Sequence, residues 1–158
     1  MHAQGRIVAS TVTESHEQDP SQVPELLSQV DGVLARFIGD GILDPAPRYS
    51  AIENHSPGAR VIIPPRTDAV LSSTARSAPT QRDAHVLAIE SKGRCAWKRA
   101  SGYYAQSQAE NAFSRFKRTF GGGLRSKRDA SQKREAALAC ELLNRMQALG
   151  RPQSYAIS

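Results

Sequence analysis

Tyr103, Glu110 and Lys117 stand seven and seven residues apart. Seven residues are close to two turns of α-helix, so successive members of this set drift by only about 20° around the axis. Gln106, four residues before Glu110, joins the same stripe. Ala109, Ala112, Phe113 and Phe116 form a second stripe at i, i+3, i+4, i+7 spacing, continued by Phe120. Its centre lies about 100° from the first on a helical wheel. The pattern predicts a helix that packs its apolar face on a core. Its edge then shows a tyrosine, a carboxylate and a lysine, which is a natural wall for an active site.

The 158 residues fit one domain. The net charge of +6 is unevenly spread. Residues 91–158 carry 14 Lys/Arg against 4 Asp/Glu, whereas residues 1–90 carry 7 against 11. The basic character therefore belongs to the C-terminal part. It fits a polyanion partner, of which nucleic acid is the usual one, and it equally fits a solvated helix surface. Cys95 and Cys140 form no CxxC pair and have no His/Cys cluster beside them, so no zinc site is read and both are expected as reduced thiols. His2, His16, His55 and His85 are scattered and expected at surface or loop positions. No apolar run reaches signal or membrane length, so a soluble cytoplasmic protein without membrane contact is expected.

Along the chain, Ile7 to Thr13 reads as a short strand. Asp19 and Pro20 suit the cap and first position of a helix with Val23, Leu26, Leu27 and Val30 on its apolar face. Val33 to Ile38 reads as a mostly buried strand ending at Gly39-Asp40-Gly41, and Pro45 to Asn54 as a short helix. Arg60 to Ile63 is a further strand ended by Pro64-Pro65, and residues 66–79 read as a loop. A helix over Gln81–Lys92 and a basic turn precede the Glu110 helix. The last helix, Ser131 to Leu149, sets Ala136, Ala137, Cys140, Leu143 and Met146 on one side. Alternating strands and helices predict an α/β fold with parallel neighbours.

Asp40 follows a predicted strand, where functional groups of open α/β sheets collect, yet Gly-Asp-Gly alone is also an ordinary turn. Glu110 alone is also an ordinary solvated helix residue. Trp97 reads as a packing anchor, with flanking Lys98 and Arg99 leaving a DNA-facing role open, and Asp44 as a helix cap. Arg125, Lys127, Arg128, Lys133 and Arg134 make a basic cluster after Gly121-Gly122-Gly123, open to phosphate or to solvent.

The spacing Tyr103-x2-Gln106-x3-Glu110-x6-Lys117 resembles the Tyr-x2-Arg-x3-Glu-x6-Lys signature of bacterial insertion-sequence transposases of the DDE type. Gln106 stands where that family has Arg, offering a neutral amide in place of a charged fork of donors. The run Trp97 to Tyr103, the segment Gly39 to Asp44 and Ile63-Pro64-Pro65-Arg66 are also similar to the family.

The resemblance implies a ribonuclease-H-like catalytic domain that cleaves and joins DNA phosphodiester bonds with Mg2+ or Mn2+. It implies Asp40 and Glu110 as catalytic metal ligands, and Tyr103, Gln106, Lys117 and Arg118 as DNA contacts. Such chemistry needs neutralised charge on the attacking and leaving oxygens, which metal ions on hard carboxylate ligands supply. Ile7 to Thr13 then corresponds to the family's third strand, and no acidic residue precedes Glu14 to serve as the first catalytic Asp. Residues 1–158 are therefore expected to form the C-terminal part of the catalytic domain. The expected fold is a partial ribonuclease-H-like one lacking the first two strands, with C-terminal helices, inactive and poorly soluble by itself. Double-stranded DNA is the expected partner, together with the remainder of a split transposase or a full-length homologue. The alternative is a non-catalytic DNA-binding fragment that modulates a full-length transposase.

Overall fold

A computed structural model describes residues 5–13 and 22–150. The expected helix start at Asp19 and Pro20, like His2, His16 and Glu14, lies outside the described residues. The protein is mixed helix and sheet, mostly helical, with two parallel strands among the described residues. It separates into two compact units, Ser15–Ser107 and Met1–Glu14 with Gln108–Ser158.

The first unit alternates helix and strand. Helix α1 spans Val23–Ser28 and has Pro24 in its first turn, where a missing N–H costs nothing. Strand β1 (Arg36–Ile38) follows, then a 3₁₀ turn (Gly41–Leu43), helix α2 (Ala46–His55) and strand β2 (Arg60–Ile62). The strands run parallel, with Arg36 opposite Arg60, Phe37 opposite Val61 and Ile38 opposite Ile62. Gly39 N–H donates to the Ile62 carbonyl at 3.1 Å, carrying the ladder one residue past β1. Val61, Ile62 and Ile63 are fully buried, as a parallel strand covered on both faces requires. Val23, Leu27, Tyr49, Ile52 and Ala59 close around Val61 and Ile63 to make the core. The strand expected from Val33 begins only at Arg36, because Val33 points to solvent and Leu34 gives its N–H to the Ser56 hydroxyl.

Helix α3 occupies Gln81–Lys92, the bounds read from sequence. A reciprocal capping box starts it: Asp83 N–H donates to the Thr80 hydroxyl, and Thr80 N–H to the Asp83 carboxylate. The expected basic turn after Lys92 is instead helix α4 (Arg94–Ser101). Gly93, at φ 80°, ends α3 and begins α4, and Trp97 is buried on α4. A second 3₁₀ turn, Tyr103–Gln106, then packs against β1.

The second unit holds helices α5 (Ser107–Phe120) and α6 (Asp129–Ala148), and the N-terminal segment. The strand expected over Ile7 to Thr13 does not form. A strand needs a partner backbone, and Ile7 finds an amide side chain instead. Its N–H donates to Asn144 Oδ1 at 2.8 Å, and Asn144 Nδ2 donates to its carbonyl at 2.7 Å. On α6 the buried residues are Ala136, Ala139 and Leu143, whereas Ala137 and Met146 are exposed, contrary to the expected face. Leu138, Leu142 and Leu149 are exposed as well. No residue of α5 is fully buried: Ala112, Phe116 and Phe120 are half-buried, and Ala109 and Phe113 face solvent.

Candidate catalytic carboxylates and their surroundings

Asp40 lies two residues past the carboxyl end of β1. Its backbone is extended, and its Oδ1 accepts the Ile42 N–H at 3.0 Å, capping the 3₁₀ turn that follows. With no other side-chain bond to it among the described residues, the exposed carboxylate keeps Oδ2 available as a hard oxygen donor.

The glycines on either side of Asp40 are needed for close packing. A Cβ on Gly39 would stand 2.6 Å from Leu43 Cδ1 and 3.1 Å from the Phe37 ring. On Gly41 it would stand 3.3 Å from the Pro64 carbonyl oxygen. The segments Gly39–Asp44 and Ile63–Arg66, separate in sequence, are thus pressed side by side.

Asp44 fixes this arrangement. It was expected as a helix cap, but its buried carboxylate forms an ion pair instead. Arg82 donates to it through Nε and Nη2, both at 2.9 Å, and Arg66 N–H donates to Oδ2 at 3.2 Å. Arg82 also donates to the Val70 carbonyl at 2.8 Å, tying the following loop to α3. The bond from Asp44 holds the Arg82 guanidinium above its ordinary pKa. Tyr49, whose hydroxyl donates to the Ile63 carbonyl at 3.4 Å, has its pKa raised chiefly by burial and next by the Asp44 charge.

Tyr103 and Gln106 sit half-buried in the second 3₁₀ turn of the same unit. The Tyr103 ring lies 6.0 Å from Trp97, with Lys98 Nζ 5.1 Å from its centroid. A 3₁₀ turn has three residues per turn, so the two-turn logic of a seven-residue step holds only from Glu110 to Lys117, both on α5. Glu110 is exposed in the first turn of α5. Lys117 is exposed two turns later with its Nζ 4.5 Å over the Phe113 ring, and Arg118 is exposed beside it. Glu110, Lys117 and Arg118 belong to the second unit; Asp40, Tyr103 and Gln106 belong to the first. Among the described residues no group of three or more His, Cys, Asp or Glu gathers to hold a metal ion.

Two residues of this neighbourhood escaped the sequence reading. His85, expected at a surface or loop position, is half-buried on α3. Its Nε2 is 2.8 Å from the Val61 carbonyl, and its Nδ1 accepts the Trp97 indole N–H at 3.1 Å. These partners assign the neutral tautomer protonated on Nε2. Burial lowers its pKa, against the hydrogen bond to Val61. Asp83 is fully buried and accepts from Ser72 N–H and hydroxyl at 2.7 and 2.8 Å, and from Thr80 N–H and hydroxyl at 2.9 and 2.8 Å. The backbone bonds from Ser72 and Thr80 hold its carboxyl well below the usual range. Its signal was the Thr80-x-x-Asp83 capping spacing. No local pattern marks His85.

In the second unit Glu135 accepts two consecutive backbone amides, Arg125 and Ser126, both at 2.8 Å. The basic loop before α6 is thereby held in place. The Arg125 amide bond is the main cause of the lowered Glu135 pKa.

Comparison with protein-family models, curated proteins and solved structures finds no match. No helix among the described residues is long and apolar enough to cross a membrane.

Proposed function

We propose that this chain carries part of the catalytic domain of a DDE-type transposase. Asp40 and Glu110 are its metal-binding carboxylates, and Tyr103, Gln106, Lys117 and Arg118 contact double-stranded DNA. The reading rests on one observation above the rest: Asp40 follows the carboxyl end of a strand in a parallel β–α–β unit. The segment around it, Gly39–Asp44, resembles the family's second catalytic aspartate. The order α1–β1–α2–β2–α3, with its parallel strands, supports it, while the third strand that the family places over Ile7 to Thr13 does not form.

Both carboxylates are exposed hard-oxygen donors of the kind Mg2+ or Mn2+ takes. The metal, when bound, supplies charge neutralisation on the attacking and leaving oxygens of the phosphodiester. The residues' own part is to fix one oxygen ligand each. For Asp40, the Ile42 amide and the Asp44–Arg82 pair beneath its turn set that position.

A second reading is a non-catalytic DNA-binding fragment that modulates a full-length transposase. It is favoured by the 14 Lys/Arg against 4 Asp/Glu in residues 91–158. One assay separates the two. Supercoiled DNA is incubated with the purified chain, alone and mixed with the product of the coding sequence immediately upstream, in Mg2+, Mn2+ or chelator. Metal-dependent nicking that is lost in Asp40→Asn and in Glu110→Gln supports the enzyme. Salt-sensitive DNA binding without nicking in any mixture supports the fragment. Neither binding nor nicking sinks both.

A further inference from the structure

Helix α5 has two unlike faces. Ala109, Ala112, Phe113, Phe116 and Phe120 make one. The opposite face carries Gln108, Asn111, Ser114, Arg115 and Arg118, which line an open cleft of about 550 Å3. Gly5 and Gln147 form its other wall, and no carboxylate lines it among the described residues.

Arg115 is committed to building the cleft. Its Nη1 donates to Gln147 Oε1 and its Nη2 to the Gly5 carbonyl, both at 2.9 Å. Its Nε is buried without a partner among the described residues. The other four residues on this face differ. Gln108, Asn111, Ser114 and Arg118 are all exposed, and none makes a side-chain hydrogen bond or ion pair among the described residues.

The set carries donors and positive charge but no negative charge. Two amides, a hydroxyl and a guanidinium provide neutral donors and positive charge, with a second guanidinium behind them. These are the side chains that position nucleic-acid phosphates and sugars without reading sequence. The donors do not converge on a point, as a site for a small anion would require. They are spread over the ten residue steps from Gln108 to Arg118, about 15 Å of helix, which is the axial length of about four nucleotide steps. Ser114 lies one turn beyond Glu110 and Arg118 two turns beyond it, so the line passes along the margin that carries Glu110.

We propose that Gln108, Asn111, Ser114 and Arg118 form a sequence-independent track for a nucleic-acid sugar–phosphate backbone, laid beside Glu110 and backed by Arg115 and Gln147. The proposal rests on the DNA reading above and deepens it by naming where on α5 the strand runs.

The test uses the full chain labelled with 15N and titrated with a short DNA duplex of arbitrary sequence. The side-chain amide signals of Gln108 and Asn111, assigned by substitution, are followed. They move to saturation with the duplex. Arg118→Gln lowers the salt slope of binding by about one, and Ser114→Asp abolishes binding, while neither changes the thermal midpoint. If the duplex binds but moves only signals elsewhere, such as the Arg125–Arg128 loop, the track is overturned and DNA binding stands. If no duplex binds at any salt concentration, the track and the DNA reading fall together.

Discussion

Asp44 and Arg82 are 38 residues apart and meet through two parallel hydrogen bonds of 2.9 Å, under the turn that presents Asp40. Asp44 is 1% exposed, so its charge is tolerated only because Arg82 and the Arg66 amide answer it. The pair joins the end of β1, the Pro64-Pro65 segment and the start of α3. Asp44→Asn removes the charge and turns an amide donor toward a guanidinium. The expected loss is about 2–4 kcal/mol of unfolding free energy, the scale for breaking a buried pair on one side. Urea unfolding measures it. A loss below about 0.5 kcal/mol would show that the pair does not hold the turn.

His85 sets a pH dependence. Its folded pKa lies below the ordinary 6.5, because burial disfavours the imidazolium; nearby Arg60 acts in the same direction, against Val61 and Asp44. As pH falls past about 6.5 the unfolded chain takes up the proton first, so stability is lost from there down to the folded pKa. Protonating Nδ1 also removes the acceptor for the Trp97 indole. Asp83 does not confuse this window. Its folded pKa is depressed, so its contribution is complete above the unfolded value of 3.8 and is lost only below it. Unfolding followed by fluorescence of Trp97, the single tryptophan, is expected to give lower stability at pH 5.5 than at pH 7.5. His85→Gln is expected to flatten that difference. Equal stability at both pH values in the unsubstituted chain would contradict the assignment.

How far the sequence revealed these features depends on the range over which each is determined. Helix α3 was legible over Gln81–Lys92 because Val86, Leu87 and Ile89 give it an apolar face, whereas the Thr80–Asp83 capping box that starts it went unread. Strand β2 was legible because Val61, Ile62 and Ile63 are apolar on both faces, as full burial demands. The segment Ile7 to Thr13 has the composition of a strand but not the partner, and Asn144 answers its backbone in place of one. Helix α4 was missed because Trp97 is its one large apolar side chain amid basic residues. The place of Asp40 after a strand was readable, whereas the pair beneath it was not, since nothing in the sequence between them links Asp44 to Arg82, 38 positions on.

The packed face of α6 was read in part: Ala136 and Leu143 of the expected side are buried, whereas Ala137 and Met146 are exposed and Ala139 is buried instead. Leu143 is 4% exposed, and its neighbour Leu142 is 41% exposed. Leu143→Ala is expected to cost about 2–4 kcal/mol, because the deleted methyl groups leave a cavity. Leu142→Ala is expected to cost less than about 1 kcal/mol. Thermal unfolding of the two variants side by side reads the difference. Equal costs would place the packed face of α6 elsewhere.

Asp83 holds the long loop between β2 and α3. Its Oδ1 accepts the Ser72 N–H, and its Oδ2 accepts the Ser72 hydroxyl and both the N–H and hydroxyl of Thr80. Asn at this position keeps one accepting oxygen and turns an NH2 group toward the remaining donors, so part of the set is lost in a buried place. Asp83→Asn is expected to destabilise the first unit by about 2–3 kcal/mol. The loss has a local reading too. Ser72 loses its anchor, and the exposed Arg76 lies four residues beyond it. Limited trypsin digestion under native conditions is expected to cut after Arg76 several-fold faster in the variant. Cutting after Lys92, at the end of α3, reports global opening of the unit and provides the comparison. If both sites accelerate equally, Asp83 stabilises the unit as a whole and does not hold the loop in particular. If neither changes, the four bonds to its carboxylate contribute nothing to the loop.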